Sequence, residues 1–208
     1  MKELLNFLIE VGKLKRMPRR GWILIGQKNP ETVGEHTFHE TIMTWFLAQK
    51  KGINLNIPRL LKIALVHDLC ELYAGDATPY DDILPKNKKE WPKLFDQWPR
   101  FSKSKKTENF FKKHKKEKVS LAKLIAKLSP ITRKEIMHLW LDYEKGLTKE
   151  GRFARQVGRL ATLFQALEYG RENKKRPYKS WWIGSKERID DPLLLEFMEA
   201  LGKKYYRK

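Results

Sequence analysis

Apolar residues recur at helical spacing along most of the chain, and the alternating β-branched runs that announce strands are scarce, so the sequence points to an all-α fold. The pattern predicts helices over 2–14, 36–50, 58–73, 118–127, 131–145, 151–173 and 192–205. Asn29-Pro30 breaks the chain ahead of the second helix, and Asn56-Ile57-Pro58 starts the third with proline in its first turn. At 208 residues, 41% hydrophobic, a single compact domain spanning 1–208 can bury a sizeable core.

Two stretches interrupt the periodicity. Residues 83–117 combine prolines, lysines and scattered Trp and Phe, and read as a long basic surface excursion held to the body by Trp91, Phe95, Trp98 and Phe101. Residues 174–191, with Trp181 and Trp182, read as a second basic loop. The net charge of +19 is uneven: residues 1–84 hold 11 Lys and Arg against 10 Asp and Glu, while 85–118 hold 13 against 4. Such an excess steers phosphorylated metabolites or nucleic acid toward a cleft, and it also suits a plain solvated surface. The interleaved aromatics favour packing, because no RNP-type or zinc-knuckle pattern accompanies the charge.

No apolar run is long enough to cross a bilayer, and the amphipathic N-terminus is interrupted by Glu3 and Glu10, so no membrane association is expected. Cys70 is the single cysteine, which excludes a disulfide framework and a thiolate zinc site and suits the cytoplasm.

Chemistry concentrates where the apolar stretch Leu60–Val66 runs into His67, Asp68 and Glu71. Burying those groups costs several kcal/mol each, of order, unless something pairs with them, and a metal ion supplies that pairing. On a continuous helix Glu71 lies four residues after His67 and three after Asp68, which puts all three on one side. Imidazole plus carboxylate suits Mn²⁺, Fe²⁺, Co²⁺, Ni²⁺ or Mg²⁺. His36, at the start of the preceding helix, is the natural ligand from a second element.

The order Arg19-Arg20-Gly21-Trp22, Asn29-Pro30-Glu31-Thr32-Val33-Gly34-Glu35-His36, Ala64-Leu65-Val66-His67-Asp68-Leu69-Cys70-Glu71 and Gly75-Asp76-Ala77-Thr78-Pro79 resembles the HD-domain 5'-deoxynucleotidases. The likeness resumes at Leu139–Glu144 and again from Phe153 to Tyr169. It implies an HD-type helical bundle, a bound divalent metal, a nucleoside monophosphate substrate and a homodimer. His36, His67 and Asp68 would then be metal ligands, catalytic Glu71 would orient or deprotonate the attacking water or help hold a second ion, Asp76 would contact the sugar or that second ion as part of the catalytic site, and Arg19 and Trp22 would line the nucleotide site.

One position departs from that family, which takes a last aspartate ligand from a later helix. Lined up on Phe153, Gln156, Gln165, Ala166, Glu168 and Tyr169, that position is Gly158, and no Asp or Glu occurs from 151 to 166. His39 and Glu40, one turn after His36, either reach inward in its place or stay at the periphery. A glycine in a helix interior suggests a widened pocket there. The competing functional expectation is a non-catalytic HD module that binds nucleotides or nucleic acid through its basic surface.

Overall fold

The computed structural model describes residues 1–51 and 55–206, and among these the only β-type pairing is an isolated antiparallel bridge between Pro18 and Thr32. Eleven α-helices are described: α1 Lys2–Val11, α2 Arg20–Leu24, α3 Val33–Lys51, α4 Ile57–Val66, α5 Glu71–Ala74, α6 Trp91–Phe95, α7 Lys103–Ile125, α8 Pro130–Lys145, α9 Lys149–Glu172, α10 Lys179–Lys186 and α11 Pro192–Tyr206. The all-α expectation holds, and none of these helices is long and apolar enough to cross a membrane.

Helix α9 is the axis of the bundle, with α3, α4, α8, α10 and α11 packed around it. Its Val157, Leu160, Leu163 and Leu167 are buried against Leu47 of α3, Leu60 and Ile63 of α4, Leu139 of α8 and Leu194 of α11. Full burial of each such side chain stabilises the fold by about 1.5–3 kcal/mol. A second cluster joins Leu14, Val33, Cys70, Leu121, Ile125 and Trp140, fastening α7 and the N-terminal segment to the turn after α4.

The helix ends follow their local chemistry. Asn56 accepts from the Arg59 N–H at 3.0 Å and Pro58 occupies the first turn of α4. Ser129 caps α8, which stops at Gly146 in the left-handed conformation, φ 60°. Thr148 caps α9 by accepting from the Gly151 N–H at 3.1 Å.

Three expected elements differ. The helix over 58–73 ends at Val66. Residues 67–70 form a turn with Leu69 N–H bonded to the Val66 carbonyl and Glu71 N–H to the Asp68 carbonyl, and α5 begins only at Glu71. The helix read as 118–127 starts at Lys103, so residues 103–117 of the supposed loop 83–117 are regular helix. Its lysines are good helix formers, and Ser102 supplies the cap by accepting from the Lys105 N–H at 3.2 Å. The loop 174–191 likewise contains α10, whose Trp181 packs on Trp22 with ring centroids 4.8 Å apart. Neither segment shows an apolar stripe in sequence, because charge surrounds the few contact residues.

Candidate metal centre and adjoining pocket

The N-terminus of α3 is fixed by a reciprocal cap. Thr32 Oγ1 accepts from the Glu35 N–H at 3.1 Å, and Glu35 Oε2 accepts from the Thr32 N–H at 2.8 Å. Hydrogen bonds from Val33 N–H to the Met17 carbonyl and from Arg19 N–H to the Glu31 carbonyl tie this start to the segment before α2. The first turns of α3 then direct His36 and, one turn on, Glu40 into the bundle, where both are buried.

His67 arrives from the end of α4. Its Nδ1 lies 2.7 Å from the Ala64 carbonyl oxygen, which only accepts, so Nδ1 carries a proton and Nε2 is the nitrogen turned toward the carboxylates. That Nε2 faces Asp68 Oδ2 at 2.9 Å and Glu40 Oε2 at 3.3 Å, while His36 Nε2 is 3.2 Å from the same Glu40 oxygen. Ligand atoms of His36, Glu40 and His67 all lie within 4.8 Å of one another.

The electrostatics show what this cluster lacks. Both Glu40 carboxylate oxygens are buried without a hydrogen bond of regular geometry, and so is His36 Nδ1. Burial pulls the two imidazoles down, with Arg19 adding to this at His36. The carboxylates outweigh it: Glu31 and Glu40 hold His36 above its usual value, and Asp68 and Glu40 lift His67 to about 9. Burial would raise Asp68, but His67, His36 and Arg19 hold it well below the usual carboxylate range. Two imidazole nitrogens and two hard carboxylates, converging and under-satisfied, form a donor set that fits a divalent cation.

Glu31, itself fixed by Trp22 and Tyr169, holds His36 in place. Glu31 Oε1 lies 3.6 Å from His36 Nδ1, and its Oε2 accepts from the Trp22 indole N–H at 2.9 Å. The Glu31 backbone N–H donates to the Tyr169 hydroxyl at 2.6 Å.

Arg19 bridges this centre to an adjoining pocket. Its Nε is 3.7 Å from Asp76 Oδ2, and its Nη1 is 3.9 Å from Glu31 Oε2 and 3.5 Å from Thr162 Oγ1. Burial opposes the Arg19 charge, but Asp76, Asp68, Glu71 and Glu31 keep the guanidinium firmly protonated. Asp76 is set by Gly75, whose φ of 79° turns the chain after α5, and its carboxylate accepts from the Arg20 N–H at 2.8 Å. The aromatic wall includes Trp22, Tyr80, Trp98 and Trp181; Arg159 and Arg188 also line it. Burial, with Arg159 and Arg155 nearby, lowers Arg188 to about 10. An aromatic slot edged by cations can seat a planar ring bearing an anionic group.

His36, His67, Asp68, Arg19 and Asp76, singled out in the sequence, are therefore brought together. Glu71 is buried nearby, where burial and then the charges of Asp68 and Asp76 push its carboxyl well above the ordinary value. The helical-spacing argument that placed it there fails, because the chain turns at 67–70. Trp22 is a core residue whose indole orients Glu31 while part of it lines the pocket. The widened pocket expected at Gly158 is not found: a Cβ there would strike the Tyr143 hydroxyl and come within 2.7 Å of Glu40 Oε2. His39 turns away, edge-on to Phe164 with centroids 5.2 Å apart. Sequence reasoning missed Glu31, which looks like an exposed loop acid after Pro30, and Thr162, which carries no motif. Arg159, one residue past the glycine, was also missed.

A family model described as HD domain matches residues 11–192. The chain is 30% identical to 5'-deoxynucleotidase HDDC2 of Xenopus laevis over 202 residues, covering 96% of this chain and 86% of that protein. It is 28% identical to 5'-deoxynucleotidase HDDC2 of Homo sapiens, covering 96% and 85%. Among solved structures, a conserved hypothetical protein from Pyrococcus furiosus superposes with a TM-score of 0.70 at 25% identity, covering 96% of this chain and 99% of that one.

Proposed function

Because the chain belongs to the HD-domain family, whose model spans residues 11–192, we propose that it is a metal-dependent phosphohydrolase that removes the 5'-phosphate from deoxynucleoside monophosphates. The observation that carries this reading is the junction of the His36, His67 and Asp68 cluster with an aromatic, arginine-edged pocket, the two joined through Arg19.

In this reading His36 Nε2, His67 Nε2 and Asp68 hold the ion. A bound divalent cation lowers the pKa of water and offsets phosphoryl charge. Arg19 receives the phosphate, for which its planar fork is suited. Glu71, a stronger base than an ordinary carboxylate, would take the proton of the attacking water. Asp76, anchored by the Arg20 N–H, contacts the sugar. Trp22, Trp98 and Trp181 exclude water and flank the base. The single cysteine, buried and free, fits a cytoplasmic setting.

The test is phosphate release from a panel of deoxy- and ribonucleoside monophosphates with Mn²⁺, Co²⁺ and Mg²⁺. Activity on deoxynucleotides that disappears in His67→Ala and Asp68→Ala is expected. No metal-dependent release from any substrate by folded protein would overturn the reading.

A further inference from the structure

Helix α9 runs along the metal cluster, yet it offers no carboxylate anywhere from residue 151 to 166. The volume beside its Gly158 is filled instead by the Tyr143 hydroxyl from α8 and by Glu40 from α3. A Cβ at 158 would lie 2.7 Å from Glu40 Oε2 and 3.1 Å from Glu40 Cδ. Glu40 itself is fully buried, and neither of its carboxylate oxygens has a hydrogen-bond partner. It faces both imidazole Nε2 atoms that the proposed function assigns to the metal, at 3.2 and 3.3 Å.

A carboxylate in such a place is expensive to keep. Withdrawing it from water is costly, and two histidine contacts without regular geometry offset little of that cost. A charged partner that draws on the same atoms as the histidines removes the conflict. We propose that Glu40 is a direct ligand of the metal, delivered from α3 into the space that Gly158 leaves open, so that Glu40 and Gly158 form a matched pair. The cation then meets two imidazoles and the carboxylates of Asp68 and Glu40, with α9 supplying room rather than an oxygen. The inference rests on the metal-dependent reading above, and it adds a ligand that reading does not require.

Binding of Co²⁺ to the full-length chain tests it, followed by calorimetry and by the visible ligand-field spectrum of the ion, in the wild type, Glu40→Gln, Glu40→Met and His67→Ala. Two Glu40 variants are used so that one folded protein, judged by circular dichroism, is available if the other fails. The expected result is one Co²⁺ per wild-type chain. Affinity should fall about 100-fold or more in either Glu40 variant, beyond what loss of an outer hydrogen-bond partner produces, with an altered spectrum. Wild-type affinity and an unchanged spectrum in a folded Glu40 variant, while His67→Ala loses the ion, would overturn the Glu40 assignment and leave the metal-dependent reading standing. If the wild type binds no Co²⁺, Mn²⁺ or Mg²⁺, both fall together.

Discussion

The indole N–H of Trp22 donates to Glu31 Oε2 at 2.9 Å, and both side chains are buried. The other oxygen of Glu31 faces His36 Nδ1 at 3.6 Å, so a core tryptophan sets the position of a candidate metal ligand through one carboxylate. Trp22→Phe keeps the ring packing against Tyr169 and Trp181 but removes the donor. Loss of the bond should cost about 1 kcal/mol of stability. Glu31→Ala removes the carboxylate as well and should weaken metal binding about 10–100-fold. Metal titration of both variants checks the order, with Glu31→Ala the more affected.

Gly158→Ala is expected to destabilise the protein, against the usual rule. An alanine in a helix interior ordinarily gains about 1 kcal/mol over glycine. Here the new Cβ meets the Tyr143 hydroxyl and Glu40 Oε2, and the Glu40 side chain is fully buried. We expect a net loss of about 1–3 kcal/mol, as for overpacking. Thermal melts of Gly158→Ala alone and combined with Tyr143→Phe measure it, and the double variant should recover part of the loss.

Asp142 sets an acid limit on stability away from the metal centre. Burial raises its carboxyl, but Thr148, through its hydroxyl and N–H, and the Arg59 guanidinium at 2.7 Å outweigh this and hold it below the ordinary value. A depressed folded-state pKa gives stability that is present above the unfolded value, near 4, and is lost as pH falls through the folded value. Wild-type melting temperature should therefore drop below about pH 4 more steeply than that of Asp142→Asn. The variant should already be less stable at pH 7 by about 1–3 kcal/mol.

Much of this was legible in the sequence because it depends on local chemistry. His36, His67, Asp68, Arg19 and Asp76 sit in short motifs, and Asn56 with Pro58 marks the start of α4. Helix α7 was under-read because lysines favour helix without leaving a periodic apolar stripe. The break after Val66 was missed because the apolar run continues through Leu69 and Leu72 while the backbone turns. The relation of Glu40 to Gly158 is invisible in sequence for a different reason. It joins two helices 118 positions apart and depends on which side chain fills a volume of a few atoms.

Arg19 separates binding from positioning. Arg19→Lys keeps a cation but loses the planar fork that reaches Asp76, Glu31 and Thr162 together. We expect kcat/KM to fall about 10–100-fold in Arg19→Lys and further in Arg19→Ala, which leaves the surrounding carboxylates without their counter-charge. Initial-rate measurements should show the loss in KM as well as in kcat, with melting temperature lowered only in Arg19→Ala.

The proposed phosphohydrolase activity depends on an ion held by the His36, His67 and Asp68 cluster. Its most direct test is phosphate release from a deoxynucleoside 5'-monophosphate by chelator-treated protein, measured as Co²⁺ is restored step by step. No release is expected from the stripped protein, and the rate should rise with bound metal to a plateau at one ion per chain. An undiminished rate in the stripped protein would contradict it.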